Sequence, residues 1–365
     1  MKKITRLLSV LLCIFCAMGC GSVKDRESKA SIPQTSLGMY AYECLKDKEK
    51  AVYDAMVYAL NNHIEKIEVE TIDDEAMKKA FFYVLKDHPE IFWCNSFNRY
   101  SSKYSDGTVK TEFEPIYTFT KKERYNYQEQ IDKVADSWLA SIPSDADDYT
   151  KAKVIFDILA SQVKYATDSA ENQNIISVFI NKQSVCQGYS KAFQYLLSKV
   201  GIESSLVRGE SRGSAHAWNL VKLDGDYYYF DVTWATPSFD EDNENESFIN
   251  YSYFAVTTDE IQTEHVITDD LPLPICTATR DNYFVKERLL FDTNNPNIVG
   301  DAIYNASVSK NSFVSLKFTT DELYSWAAKY FITDRHVSEF YKISQKLYML
   351  YNDDLRVISL IFNYS

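Results

Sequence analysis

At 365 residues the chain can hold one large domain or two to three small ones, and 45% hydrophobic with 25% charged residues is the composition of a folded globular protein. A formal net charge of −13 argues against nucleic acid and anionic lipid headgroups as partners held by charge. The 27 tyrosines fit half-buried sheet faces, the commoner use of tyrosine-dense strands.

Lys2, Lys3 and Arg6 precede an apolar run from Leu7 to Phe15, and Ala17-Met18-Gly19 leads up to Cys20. This layout predicts a secretory signal peptide over residues 1–19, too short to span a membrane. A cysteine placed just after small residues resembles a bacterial lipoprotein cleavage box. That resemblance implies Cys20 as a lipid-modified first residue, in a protein held outside the cytoplasm by its lipid alone; plain secretion is the other outcome. Removing residues 1–19 leaves 36 basic against 52 acidic side chains, a net charge of −16. Residues 20–36 are polar and aperiodic, as a tether would be.

From residue 37 to about 145 the pattern is mostly helical. Leu45, Val52, Met56, Ala59 and Leu60 recur at three- and four-residue steps, as do Ala76, Ala80, Phe81, Val84 and Leu85. Thr71 to Asp74 supplies capping residues, and His88-Pro89 ends the second helix. Ile91-Phe92-Trp93 and Phe113 to Phe119 read as strands around a turn at Asp106-Gly107, and Arg124 to Leu139 returns to helix. Pro143 to Asp148 is an acidic break, taken as the boundary before a core of residues 146–278. Asp147 or Asp148 caps the helix that follows, Tyr149 to about Val163.

Within that core, Ser184 is a candidate cap for a helix with Cys186 in its first turn, an apolar face at Tyr189, Ala192, Phe193, Leu196, Leu197 and Val200, and Gly201 as its stop. A thiol there meets the positive end of the helix dipole and open N–H groups, surroundings that favour a thiolate and can hold an oxyanion. Alone, such a cysteine is more often a small buried hydrophobe. Its partners change the balance. His216 to Leu223 and Asp226 to Trp234 flank Asp224-Gly225, a strong two-residue hairpin signal. Opposed positions in that register put His216, Trp218 and Asp231 on one face, with His216 and Asp231 as diagonal neighbours about 7 Å apart along the backbone. The spacing itself predicts a His–Asp pair.

Pro237 to Ser247 is an acidic loop; the absence of glycine at the sixth position and Tyr251 at the last exclude an EF-hand. Phe248 to Val256 reads as a strand. Residues 279–365 form a small α/β region with a strand at Phe313–Phe318, a helix from Thr320-Asp321 to Tyr330, and a hairpin across Asn352 to Asp354. Cys44, Cys94, Cys186 and Cys276 make neither a disulfide framework nor metal-ligand spacing, and no cofactor or metal is expected. A Cys44–Cys94 bridge stays open. His63 and His336 read as surface residues, and His265 as structural.

VCQGYSKAF, HAWNLV and YYYFDVTW resemble the three core motifs of the transglutaminase-like superfamily, over about Tyr149 to Val256. The preceding KAKVIFDILASQVKYA resembles the helix before the core in bacterial members, although Phe156 and Ala166 stand where His and Asp are frequent, and the HPEIFW stretch and the YFAVTTDEIQTEH tail also look like extracellular bacterial members. The resemblance implies an α+β, papain-like core, its cysteine-bearing helix packed on an antiparallel sheet, with a helical N-terminal region and a small C-terminal subdomain. It implies Cys186 as nucleophile, His216 as base and acid, and Asp231 as the residue orienting His216. The expected activity is that of a thiol enzyme on peptide or protein amide bonds, with water or an amine as acceptor. A surface binding or scaffold protein that keeps this core without turnover is the alternative. Oligomeric state and the oxyanion side chain, with Gln183 and Gln187 nearby in sequence, stay undetermined.

Overall fold

The computed structural model describes residues 38–235, 248–341 and 346–364; the expected signal peptide, Cys20, the tether and the acidic loop 237–247 lie outside them. The architecture is α+β. Helices α1 (Tyr40–Glu43), α2 (Asp47–Asn62) and α3 (Asp74–Asp87) flank a short strand β1 (Ile67–Val69), and the Asp73 carboxylate caps α3 by accepting from the Ala76 amide at 2.8 Å. Strands β2 (Cys94–Lys103) and β3 (Val109–Tyr117) form an antiparallel hairpin, with β3 central between β1 and β2. The second strand begins later than its apolar run suggests. Ile91, Phe92 and Trp93 are a buried loop, where the Trp93 indole donates to the Leu60 carbonyl at 3.1 Å, while the strand proper is largely polar and solvated.

After α4 (Lys121–Leu139), the Asp147 side chain caps α5 (Asp148–Gln162) through the Thr150 amide at 2.8 Å. Two-residue strands β4 (Lys164–Tyr165) and β5 (Gln183–Ser184) pair in parallel and lead into α6 (Cys186–Lys199). Strands β6 (Ser204–Ser211), β7 (Ser214–Leu223) and β8 (Asp226–Phe230) follow, then α7 (Thr258–Ile261) and β9 (His265–Ile267). Their antiparallel sheet has the order β8-β7-β6-β9. Phe156 of α5, Phe193 of α6 and Phe230 of β8 meet edge-on or tilted, with Phe254 closing the group at 5.1 Å from Phe156. That aromatic seam fixes the cysteine-bearing helix on the sheet.

Phe248 to Val256 is not a strand. It lies beside the edge strand β8 as an irregular segment joined by one bridge, Tyr229 to Val256, and its carbonyl at Tyr253 takes the Asp231 amide at 3.0 Å. Tyr251 and Phe254 turn inward to the aromatic seam, while Tyr253 packs on Trp234 and His265.

Helix α8 (Tyr283–Lys286), strand β10 (Leu290–Phe291), α9 (Pro296–Val308), β11 (Phe313–Phe318), α10 (Asp321–Ala327), β12 (Lys346–Asn352) and β13 (Val357–Asn363) complete the chain. Their sheet, order β10-β11-β13-β12, has its own hydrophobic cluster around Val299, Leu316, Phe318 and Leu360. The larger cluster draws on residues from Ala41 to Phe284 and also takes in Leu355 and Val357. The buried Lys86–Asp269 ion pair ties α3 to the segment after β9. Cys44, Cys94, Cys186 and Cys276 are free thiols. Among the described residues no helix is long and apolar enough to cross a membrane.

Candidate active site

Leu196, Leu197, Phe193 and Tyr189 bury one side of α6, and Gly201 at φ 81° ends it with the Ile202 amide donating back to the Leu197 carbonyl at 3.0 Å. The cap differs from expectation. Val185 holds the N-cap position and offers no side-chain acceptor to the first amides. Ser184 instead turns its hydroxyl to Ser177 Oγ at 2.7 Å and the Asn172 carbonyl at 3.1 Å, pinning the loop that borders the helix start. Cys186 is therefore the first helical residue, partly exposed, over amides left open by their cap.

Gly188 keeps that arrangement compact. A Cβ there would stand 2.8 Å from the Asn172 carbonyl and collide with Ser184 Oγ. The variant Gly188→Ala is expected to lose about 1–3 kcal/mol, read as a lowered melting temperature, because the Asn172 carbonyl is backbone and Ser184 Oγ can swing away only by giving up its hydrogen bonds to Ser177 and Asn172. A melting temperature equal to wild type contradicts this.

The hairpin register is the expected one: Leu223 faces Asp226 and Asn219 faces Phe230. Asp224 at φ 48° and Gly225 at φ 94° make the mirror-image turn that two-residue hairpins prefer. The ladder stops at Phe230, one residue short of Asp231, and the chain then turns into a short 3-10 helix, Thr233–Ala235. The pairing of His216 and Asp231 survives that departure. His216 Nε2 donates to Asp231 Oδ2 at 2.7 Å. Asp231 is fully buried, and its Oδ1 accepts the Thr233 amide at 3.0 Å and the Trp234 amide at 3.4 Å.

Burial disfavours a charged His216, but the Asp231 carboxylate and then the neighbouring Cys186 outweigh it and push its pKa up to about 10. With Nε2 on Asp231, Nδ1 is the ring nitrogen left for the thiol. Burial likewise opposes charge on Asp231, yet His216 and His265 hold its carboxyl well below the usual range. Cys186, His216 and Asp231, singled out in the sequence, thus come together.

Sequence reading missed His265, which the three-residue strand β9 brings opposite Ser211. Its Nε2 donates to the same Asp231 oxygen at 2.9 Å, and its fully buried ring packs between Trp218, Trp234 and Tyr253, with centroids 4.9, 4.9 and 5.1 Å away. The only advance signal was its place in the YFAVTTDEIQTEH tail. The variant His265→Ala is expected to destabilise by about 2–4 kcal/mol, through the cavity among those rings and one lost donor to a buried carboxylate. Thermal unfolding measures it; a loss under about 1 kcal/mol means that the ring does not hold Asp231.

Neither glutamine near the nucleophile position points to an oxyanion. Gln187 Nε2 donates to the Gln173 carbonyl at 3.1 Å, and Gln183 is exposed. Tyr165, opposite Ser184 in the β4–β5 pair, comes closer to the chemistry. Burial first, then the neighbouring Cys186 and Asp231, push its phenol above its ordinary pKa. The ligand-capable atoms of His216, Asp231 and His265 lie within 4.8 Å of one another, a set that can in principle hold a cation. Both Nε2–H groups already converge on one Asp231 oxygen, so an ion would have to displace two hydrogen bonds to it.

Residues 136–232 match the model of the transglutaminase-like superfamily. Among solved structures, a TGase is 15% identical over 37% of this chain and 44% of its own, with a TM-score of 0.28. A candidate cysteine protease of Cytophaga hutchinsonii is 13% identical over 39% of this chain and 63% of its own, TM-score 0.26. The periplasmic domain of TgpA from Pseudomonas aeruginosa is 12% identical over 35% and 54%, TM-score 0.25. The chain spans less than two thirds of the length of these structures. No curated protein matches it.

Proposed function

We propose, from the premise that residues 136–232 form a transglutaminase-like core, that this protein is a thiol enzyme acting on amide bonds of peptides or proteins. The observation that carries the reading is the 2.7 Å hydrogen bond from His216 to a fully buried Asp231, with the Cys186 thiol near the same imidazole. In the proposed reaction His216 Nδ1 takes the thiol proton and Cys186 Sγ bonds to the amide carbonyl carbon. The carbonyl electrons move to oxygen, facing the amides at the start of α6. As they return, the C–N bond breaks and His216 hands its proton to the departing amine. Water or a second amine then attacks the thioester, again losing a proton to His216, and frees the cysteine. Asp231 keeps Nε2 protonated and the ring in register throughout.

Residues 146–278 are taken as the unit that carries this chemistry, with residues 37–145 and 279–365 packed beside it. The location is proposed as extracytoplasmic, anchored through a diacylglyceryl group on Cys20; a membrane fraction in which mass spectrometry finds Cys20 unmodified would remove the anchor.

The reading is tested by incubating the protein with a mixed peptide library, with and without methylamine, and identifying products by mass. New termini or deamidation support hydrolysis, and methylamide products support acyl transfer. A library returned intact under both conditions would instead favour a binding protein that keeps the core without turnover.

A further inference from the structure

Beside the Cys186 turn lies a cleft of about 460 Å³ that the chemistry above does not use. Gln187 and Lys191, one turn apart on α6, form one wall; Phe82 of α3 and Phe92 form an apolar one; Arg208 of β6 closes it. In a protein of net charge −13 the cleft is cationic. Lys86 also lines it, but its ammonium is taken by Asp269 and by the Leu206 carbonyl at 3.2 Å. Asp269 further accepts the Arg208 backbone amide at 2.9 Å. The one acid in the lining, Glu171, is held by Asn174 Nδ2 at 2.6 Å. Among the described residues no carboxylate pairs with the Lys191 ammonium or the Arg208 guanidinium, which rests 5.8 Å from the Phe82 ring centroid. Burial, and then the nearby Arg208 charge, push the Lys191 amine down to about 8.

Two cations lining one cleft, neither of them paired with a carboxylate, form a site for an anion. Lys191 lies five residues beyond Cys186, about 7.5 Å along the helix axis.

We propose that the cleft is a carboxylate-binding subsite, in which Lys191 and Arg208 grip an anionic group of the peptide near the scissile amide while Phe82 and Phe92 cover an apolar neighbour. The inference rests on the thiol-enzyme reading for its substrate and names that substrate's class: peptides with a carboxylate near the reacting bond. A chain-terminal carboxylate and an Asp or Glu side chain share this chemistry.

The test uses retention of a hexapeptide library on immobilised full-length Cys186→Ala protein, which cannot turn the library over. One pair of pools differs in a free against an amidated C-terminus; a second differs in Glu against Gln at each position. The acidic member of at least one pair is expected to be enriched by about tenfold or more, and the pair that shows it identifies the source of the carboxylate. Lys191→Met and Arg208→Gln should each remove most of that enrichment, while Lys191→Arg keeps it. Melting curves identify any variant that fails to fold, and the conservative Lys191→Arg then decides. Retention without charge bias, no retention at all, or a bias that survives loss of both cations overturns the proposal. Charge-selective retention of peptides that the wild type never cleaves would sink the thiol-enzyme reading and leave the subsite standing. Cleavage indifferent to charge would do the reverse.

Discussion

Cys186→Ala is expected to lower turnover of peptide amides by a factor on the order of 10³ or more while the protein stays folded. The two halves of this expectation come from different parts of the structure. The other thiols among the described residues are poor nucleophiles: burial pushes Cys94 and Cys276 up to about 11 and raises Cys44 above its ordinary value. Stability should hardly move, because Cys186 is partly exposed at the first position of α6 and alanine is the better helix former. Product mass spectra and a melting curve on the same preparation separate the two. Residual turnover within tenfold of wild type would mean that the chemistry runs elsewhere; a collapse of the melting temperature would mean that the thiol is structural.

Asp231→Asn should be more damaging than its small change in shape suggests. The carboxylate accepts from two backbone amides and from two imidazoles, at 2.7 and 2.9 Å, without solvent contact. An amide can present its oxygen to one side only, leaving an NH₂ facing the Nε2–H groups of His216 and His265. A loss of about 2–4 kcal/mol and of about 10²–10⁴ in turnover is expected. The pH dependence has a definite sign. His216 is raised to about 10, so its contribution is full below its unfolded value of about 6.5 and disappears as pH rises through the folded one. Asp231 is depressed, so its contribution is present above about 3.9 and is lost as acid protonates it. The wild-type advantage over Asp231→Asn should therefore be largest between about pH 4 and 6.5 and shrink toward pH 10. Melting curves that stay parallel from pH 6 to pH 10, at about those values of pH, would contradict the coupling.

The sequence carried the centre of this site further than its surroundings. Asp224-Gly225 forces a two-residue turn, and a two-residue turn leaves only one register, so the His216–Asp231 pairing could be worked out from numbering alone. It held even though pairing ends at Phe230, because the turn after it swings Asp231 under the same face. Contributions across long separations were not legible. His265 reaches Asp231 through a strand of three residues, too short to show periodicity. Ser184 has the right chemistry for a cap but is drawn away by Ser177 and Asn172, a choice made by tertiary contacts. Phe248 to Val256 has the composition of a strand, yet its rings are needed in the seam beside α5. The cationic cleft combines α3, α6 and β6, which no local pattern connects. The relation of Cys186 to a helix start, by contrast, is local, and the apolar spacing of α6 was enough to place it.

The most direct test of the account is the rate at which iodoacetamide alkylates Cys186 at neutral pH in wild type and in His216→Ala, mapped by peptide mass. Proton transfer from the thiol to His216 predicts that wild-type Cys186 reacts well ahead of Cys44, Cys94 and Cys276, and that His216→Ala slows it by about tenfold or more. An equal rate in the two proteins would show that the imidazole does not activate the thiol, and the proposed chemistry would fall with it.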